Sequence, residues 1–187
     1  MVQNVGLFSV GSSLDASKIA GDLTETNARV ISSVEETTKY KFITEKDLFD
    51  VEYWSLEQAK IKKTKKILQG NVVVITGGFG AIGSATYKLF KSYGAEIVLL
   101  DYNSKKVKEM QSKIKDLCLH CDVRNKKSVK NAFQKICEQY GGIDILISNA
   151  GTAVGGSIAE VEDNVLRESF EDNFFSHQNC ASETIKI

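Results

Sequence analysis

The residues best suited to chemistry stand in one glycine-rich stretch, Thr76-Gly77-Gly78-Phe79-Gly80-Ala81-Ile82-Gly83. It lies between an apolar run and a helical pattern, where glycine tolerates a tight turn, lets the backbone approach a pyrophosphate and allows close strand-to-helix contact. The start of the following helix offers unpaired N–H groups to an anion. Alone, such a turn also serves purely local geometry. Asp101 adds context: it ends the next apolar run, about 20 residues on, where a carboxylate can accept hydrogen bonds from the adenosine ribose hydroxyls. An acidic group there repels a 2′-phosphate, so the expected cofactor is NAD.

Other candidate groups fall away on geometry. Cys118 and Cys121 form a Cys-x-x-Cys, but residues three apart on a strand point to opposite faces, so their sulfurs diverge rather than meet on one ion. His120 shares a face with Cys118, and two ligands fall short of a closed tetrahedral site. No metal is expected. The four cysteines, Cys118, Cys121, Cys137 and Cys180, lack the density of a secreted disulfide scaffold and are read as reduced thiols.

The elements that must position the turn read clearly from residue 71 onward, where strands alternate with helices in the manner of a parallel sheet with crossovers. Strands are expected over 72–76, 96–101, 117–121 and 143–148. Helices are expected over 84–93, stopped by Gly94; around Val107, Met110 and Ile114; from the cap Asn125 through Val129, Ala132, Phe133, Ile136, Cys137 and Tyr140 to Gly141; and after Glu162 toward the end. Before residue 71 the reading is a short strand over 5–10, then a helix capped by Ser12 or Ser13 with Ile19, Leu23, Val30 and Val34 on an apolar face. A second helix is expected near 44–49, where Thr44 and Asp47 approximate a capping box. A third starts at Ser55 with Gln58 three positions on, and runs into a lysine-rich stretch, 60–66, read as a solvated linker because no aromatic residue interleaves it.

Composition bounds the possibilities. In 187 residues, 42% hydrophobic and 26% charged, 24 basic residues balance 24 acidic ones, so neither nucleic acid nor an anionic membrane is an expected partner. A small-molecule substrate is. No basic leader precedes an apolar segment, and no stretch approaches the roughly 20 apolar residues that span a bilayer, so a cytoplasmic location is expected. Proline is absent, from which no function follows.

With these residues in place, the sequence resembles the short-chain dehydrogenase/reductase family over 71–187, whose turn has the form Thr-Gly-x-x-x-Gly-x-Gly; Ala81 replaces the family's middle glycine. Three further motifs carry the resemblance. Asp122-Val123 is similar to the family's pair at the adenine ring. Asn149-Ala150-Gly151 resembles its Asn-Asn-Ala-Gly motif, with Ser148 for the first Asn. Asn173 in Asp172-Asn173-Phe174-Phe175 looks like the helix asparagine of its catalytic tetrad. The resemblance thus implies a doubly wound, Rossmann-like α/β sheet in the order 3-2-1-4, incomplete, with cofactor contacts at Gly77, Phe79, Gly80, Ala81, Ile82, Gly83, Asp101, Asp122, Val123, Asn149, Ala150 and Gly151. It implies hydride transfer between NAD and an alcohol or carbonyl, with Asn173 the only tetrad member in this chain and a homo-oligomer in the complete protein. The tetrad's serine and Tyr-x-x-x-Lys pair have no room before Ile187. Tyr87 with Lys91 and Tyr102 with Lys106 match the spacing but stand on the wrong elements, and Ser176 is too early to be the serine.

The stretch from Leu48 through Phe49, Tyr53 and Trp54 to Lys60 resembles the junction in bifunctional proteins that fuse a class II aldolase domain to a short-chain dehydrogenase. This implies an aldolase-like tail plus linker over 1–69, the NAD-binding half over 70–187, and a truncated chain. Neither histidine, His120 or His177, lies in the first segment, so an aldolase metal site cannot assemble there. Alternatives are an N-terminal helical extension of a stand-alone dehydrogenase, and, for the second half, a non-catalytic dinucleotide-binding module or a fold-only relative that binds nothing.

Overall fold

The computed structural model describes Val2, residues 4–54 and residues 66–187. The chain divides into two compact units, Met1–Lys66 and Ile67–Ile187.

In the first unit, two side-chain caps set the helix starts. Ser13, rather than Ser12, caps α1 (Leu14–Glu35), its Oγ accepting the Ala16 N–H at 3.2 Å. Thr44 caps α2 (Glu45–Glu52), accepting the Asp47 N–H at 3.2 Å while its hydroxyl donates to Asp47 Oδ2 at 2.6 Å. Each cap satisfies an N–H that has no partner within its helix. The apolar face of α1 remains open: Ile19 is 59% and Leu23 61% exposed. The strand expected over 5–10 does not form. Asn4 at φ 60° and Gly6 at φ 143° turn the chain back on itself, leaving an isolated bridge between Val2 and Gly6, and Val5 and Val10 are exposed with no strand beside them. The helix expected from Ser55 and the lysines at 60–65 lie outside the described residues.

The second unit is the expected doubly wound sheet. Strands β1 (Val72–Thr76), β2 (Glu96–Asp101), β3 (Leu117–His120) and β4 (Ile145–Ile147) are parallel and ordered β3-β2-β1-β4. Both faces are covered, which is why β1 and β2 read as unbroken apolar runs. On one face Val73, Ile75, Ile97, Leu99 and Cys118 pack with residues of α3 (Ala81–Ser92) and α4 (Ser104–Lys113). On the other, Val72, Val74, Val98, Leu100 and Cys121 pack with Val129, Phe133 and Ile136 of α5 (Lys126–Tyr140), and with Cys180. Cys118 and Cys121 thus sit in opposite cores. Asn125 caps α5, accepting the N–H groups of Lys127 and Ser128, and Gly141 in the left-handed conformation ends it.

Three boundaries differ from the reading of the sequence. Helix α3 begins at Ala81, not Ser84, because the glycine-rich turn itself forms the first helical turn, with Gly80 as cap. Strand β3 ends at His120, although the Cys121 N–H still donates to Asp101 O at 2.9 Å. Strand β4 keeps only three residues: Asp144 is drawn to Val72, whose N–H its Oδ2 accepts at 2.7 Å, and Asn149 turns toward Thr76. The final helix begins after Glu162 as expected but holds a π turn: α6 (Asp163–Phe170), then Glu171–Phe175, then α7 (Ser176–Thr184). Among the described residues, no helix is long and apolar enough to cross a membrane.

Candidate functional site

The ends of the strands, with the turns that follow them, enclose a cleft of about 520 Å³. Its floor is the glycine-rich turn. Gly77 has φ 61°, a conformation that favours glycine, and an added Cβ would stand 3.0 Å from Ala150 Cα. A Cβ on Gly83 would overlap the carbonyl oxygen of Gly77 and lie 2.9 Å from Gly78 Cα, so this position lets the helix seat directly on the turn. Helix α3 has no side-chain cap, leaving its first N–H groups at the cleft, where Gly80, Ala81 and Ile82 form part of the wall. That is the arrangement an anion takes at a helix start. The Ala81 side chain is exposed, so the missing glycine costs the turn no space.

Asp101 closes the adjoining wall. It is 8% exposed, and each of its oxygens is held: Oδ1 accepts the Asn103 N–H at 2.9 Å and Oδ2 the Phe79 N–H at 3.3 Å. A carboxylate has about four acceptor positions, so this one is fixed in place with capacity left for hydroxyl donors.

The turn after β3 brings Asp122, Val123 and Arg124 to the cleft. Arg124 binds Asp122 through two nitrogens, at 3.0 and 3.1 Å, and its Nε lies 3.7 Å from Asp172 Oδ1. The Arg124 guanidinium holds the Asp122 carboxyl below the usual carboxylate range against the opposing effect of partial burial, and Asp122 in turn raises Arg124. Asp172 also accepts the Thr152 hydroxyl at 2.6 Å.

The turn after β4 is stitched to the glycine-rich turn. Thr76 Oγ1 accepts the N–H groups of both Asn149 and Ala150 at 2.9 Å, and Asn149 Nδ2 donates to Thr76 O at 2.9 Å and Gly77 O at 3.3 Å. Ser148 shares a 2.6 Å hydrogen bond with His177 Nδ1. Asn173, in the π turn, pairs with Thr152 as a strand would, Oδ1 accepting its N–H at 3.1 Å and Nδ2 donating to its carbonyl at 2.8 Å. A Cβ on Gly151 would come within 2.5 Å of Asn173 Oδ1.

Of the residues singled out in the sequence, Gly77, Gly80, Ala81, Ile82, Asp101, Asp122, Val123, Asn149, Ala150 and Gly151 line this one cleft. Phe79, Gly83 and Asn173 stand one layer back: Phe79 packs on the sheet core, Gly83 beneath Gly77, and Asn173 behind the 151–152 loop. Tyr102, Asn103, Lys106, Arg124, Thr152 and Asp172 also line the cleft and were not singled out as contacts. Arg124 and Asp172 neighbour residues that were, whereas Thr76 and Thr152 act through partners distant in sequence.

The first of the two Tyr-x-x-x-Lys matches is explained by other contacts. Tyr87 donates to Asp116 Oδ2 at 2.9 Å and Lys91 meets Asp116 Oδ1 at 2.5 Å, away from the cleft. Burial, and then the Asp116 carboxylate, push Tyr87 up to about 12, opposite to what a proton donor near neutral pH requires. Tyr102 and Lys106 border the cleft beside Asp101. Ser176 is buried, its hydroxyl donating to Asp172 O at 2.6 Å.

Residues 71–187 match the family model described as short chain dehydrogenase, and residues 1–61 the one described as aldolase class II, second domain. The chain belongs to the short-chain dehydrogenases, a family of oxidoreductases that typically bind a nicotinamide dinucleotide. The uncharacterized oxidoreductase YuxG of Bacillus subtilis (strain 168) is 28% identical over 169 residues, taking in 86% of this chain and 24% of that protein. That alignment is too long for the dehydrogenase segment alone, so it continues into the aldolase-like one. Short chain aldehyde dehydrogenase 1 of Euphorbia lathyris is 38% identical over 130 residues, 66% of this chain and 45% of that protein. Among solved structures, the ligand-free aldohexose dehydrogenase of Thermoplasma acidophilum superposes with TM-score 0.58 at 26% identity, covering 66% of this chain and 46% of that one. A glucose/ribitol dehydrogenase from Brucella melitensis, at 22% identity and TM-score 0.61, shares the fold, covering 66% of this chain and 54% of that one. The chain spans between about a quarter and a half of the length of the two curated relatives.

Proposed function

We propose that residues 70–187 bind NAD and form the cofactor half of an oxidoreductase acting on an alcohol or carbonyl. The observation that carries this reading is Asp101, buried and held through both oxygens at the cleft wall beside the glycine-rich turn. The N–H groups at the start of α3 take the pyrophosphate, Asp101 the ribose hydroxyls, and Asp122 and Val123 border the adenine. Lys106 lies on the same wall, but it is exposed and screened by solvent, so the fixed carboxylate decides against a 2′-phosphate. The bound dinucleotide supplies or accepts a hydride. Asn149, Ala150 and Gly151 border the end of the cleft nearest β4, and Asn173 holds the 151–152 loop there. A sugar-derived hydroxyl compound as substrate accords with the name of the aldohexose dehydrogenase neighbour and with the aldolase-like segment. The location is cytoplasmic, the complete protein is a homo-oligomer, and neither nucleic acid nor membrane is a partner.

No tyrosine in this chain stands where the family's proton donor does, so on this reading the 187-residue chain binds cofactor without turning substrate over. Calorimetric titration with NAD and NADP tests the assignment. NAD binds more tightly, and Asp101→Ala narrows the difference, each charge-assisted hydrogen bond being worth about 1.5–3 kcal/mol. Equal or tighter NADP binding refutes it. In an NADH absorbance assay over alcohols, sugars and sugar acids, turnover that persists in a Tyr87→Phe/Tyr102→Phe chain would show that a catalytic group had been missed.

A further inference from the structure

Behind the turn that follows β3, one buried amide ties the last helix to the rim of the cleft. Asn179 of α7 is 5% exposed, and its Nδ2 donates to the carbonyl oxygens of Val123 at 3.1 Å and Arg124 at 3.3 Å. Two carbonyls face this side chain, so the NH₂ group and not Oδ1 must point at them. Oδ1 is then buried with no hydrogen-bond partner among the described residues. An orphaned buried acceptor is costly, and a position needed only for packing is better served by an apolar side chain, as the neighbouring, fully buried Cys180 illustrates. What the amide adds is two donors aimed at a single turn.

The other fastenings of that turn are local. Ser128 Oγ accepts the Asp122 N–H at 3.1 Å, Asp122 Oδ1 the Arg124 N–H at 3.1 Å, and Asp122 O the Asn125 N–H at 3.0 Å. From the last helix, Asp172 approaches the Arg124 guanidinium and Asn179 bonds the backbone of the turn. The Arg124–Asp172 approach is long and its guanidinium exposed, so it is weak. The Asn179 side chain is buried, so its two bonds compete less with water than the exposed Arg124–Asp172 approach does.

We propose that Asn179 is a positioning residue for the adenine side of the cleft: its amide holds the 122–124 turn where a nucleoside base can lie against Val123. The proposal rests on the dinucleotide-binding reading. The test compares wild-type, Asn179→Ala, Asn179→Ser and Asn179→Asp chains by thermal unfolding, by hydrogen exchange at the amides of Asp122, Arg124 and Asn125, and by calorimetric titration with adenosine 5′-monophosphate. Loss of two neutral hydrogen bonds predicts an affinity about five- to tenfold lower for Asn179→Ala, with faster exchange at those three amides and an unfolding midpoint lowered by several degrees. Asn179→Ser keeps one donor and recovers part of the affinity. Asn179→Asp turns a carboxylate toward two carbonyls and loses more. Unchanged exchange at the three amides, or unchanged affinity for a nucleotide that the wild type binds, overturns the proposal. If the wild type does not bind the nucleotide, the dinucleotide reading fails and the nucleotide role of Asn179 with it. Accelerated exchange in the variants would then mark a purely structural fastening.

Discussion

Replacing Gly83 with alanine tests whether the glycine-rich turn works by close approach of helix and strand. The added methyl would overlap Gly77 O and stand 2.9 Å from Gly78 Cα, where ordinary contact begins at 3.4 Å, so the turn must retreat by about half an ångström or more. Forcing a methyl into a packed site costs roughly 1–3 kcal/mol. Two terms oppose this: alanine favours a helix over glycine by about 1 kcal/mol, and it restricts the unfolded chain. The obstruction is backbone rather than a flexible side chain, which puts the steric term at the upper end of its range, and the net loss is about 1 kcal/mol. With a urea dependence of about 1–3 kcal/mol per molar, the denaturation midpoint falls by roughly 0.3–1 M. Because the same retreat displaces the N–H groups at the start of α3, dinucleotide affinity falls about tenfold or more in calorimetry. Gly142→Ala is the control, since a Cβ there meets nothing within 4 Å. A Gly83→Ala chain with unchanged midpoint and affinity would refute the close-approach argument.

Tyr87, held up to about 12, should be the last tyrosine to ionise in difference titration against Tyr87→Phe. Its folded value lies above the ordinary 10.0, so the stability it contributes is complete below pH 10 and is lost as pH rises from 10 through 12; removing the carboxylate with Asp116→Asn should shift the ionisation downward. Burial raises the thiols of Cys118 and Cys121 to about 11 and of Cys180 to about 12, so at pH 8 a thiol reagent should modify only the half-buried Cys137 of the folded chain and all four cysteines after denaturation. Rapid native labelling of a second thiol would contradict the packing of those cores.

The sheet was legible because both its faces are buried. The 72–76 and 96–101 runs had to be parallel strands under two helical layers, and Asn125, Gly94 and Gly141 marked helix ends through local backbone chemistry. The same local logic failed where the partner is remote or missing. Residues 5–10 carry strand-like side chains but pair with no strand. Strand β4 is shorter than its apolar run because Asp144 and Asn149 are engaged by β1. At the cleft, Asp101 could be found by spacing alone. The bonding roles of Thr76 and Thr152 could not, since each rests on a contact between segments far apart in the chain, and nothing in Glu171–Phe175 announced a π turn.

The double hydrogen bond to Thr76 Oγ1 joins residues 73 and 74 positions apart, and it closes only after β4 has docked beside β1. Loops of that span are slow to close, so the floor of the cleft belongs to the late, high-contact-order part of folding. A nucleotide that recognises only the finished floor therefore acts as a latch on that step, slowing its reversal more than it hastens its formation.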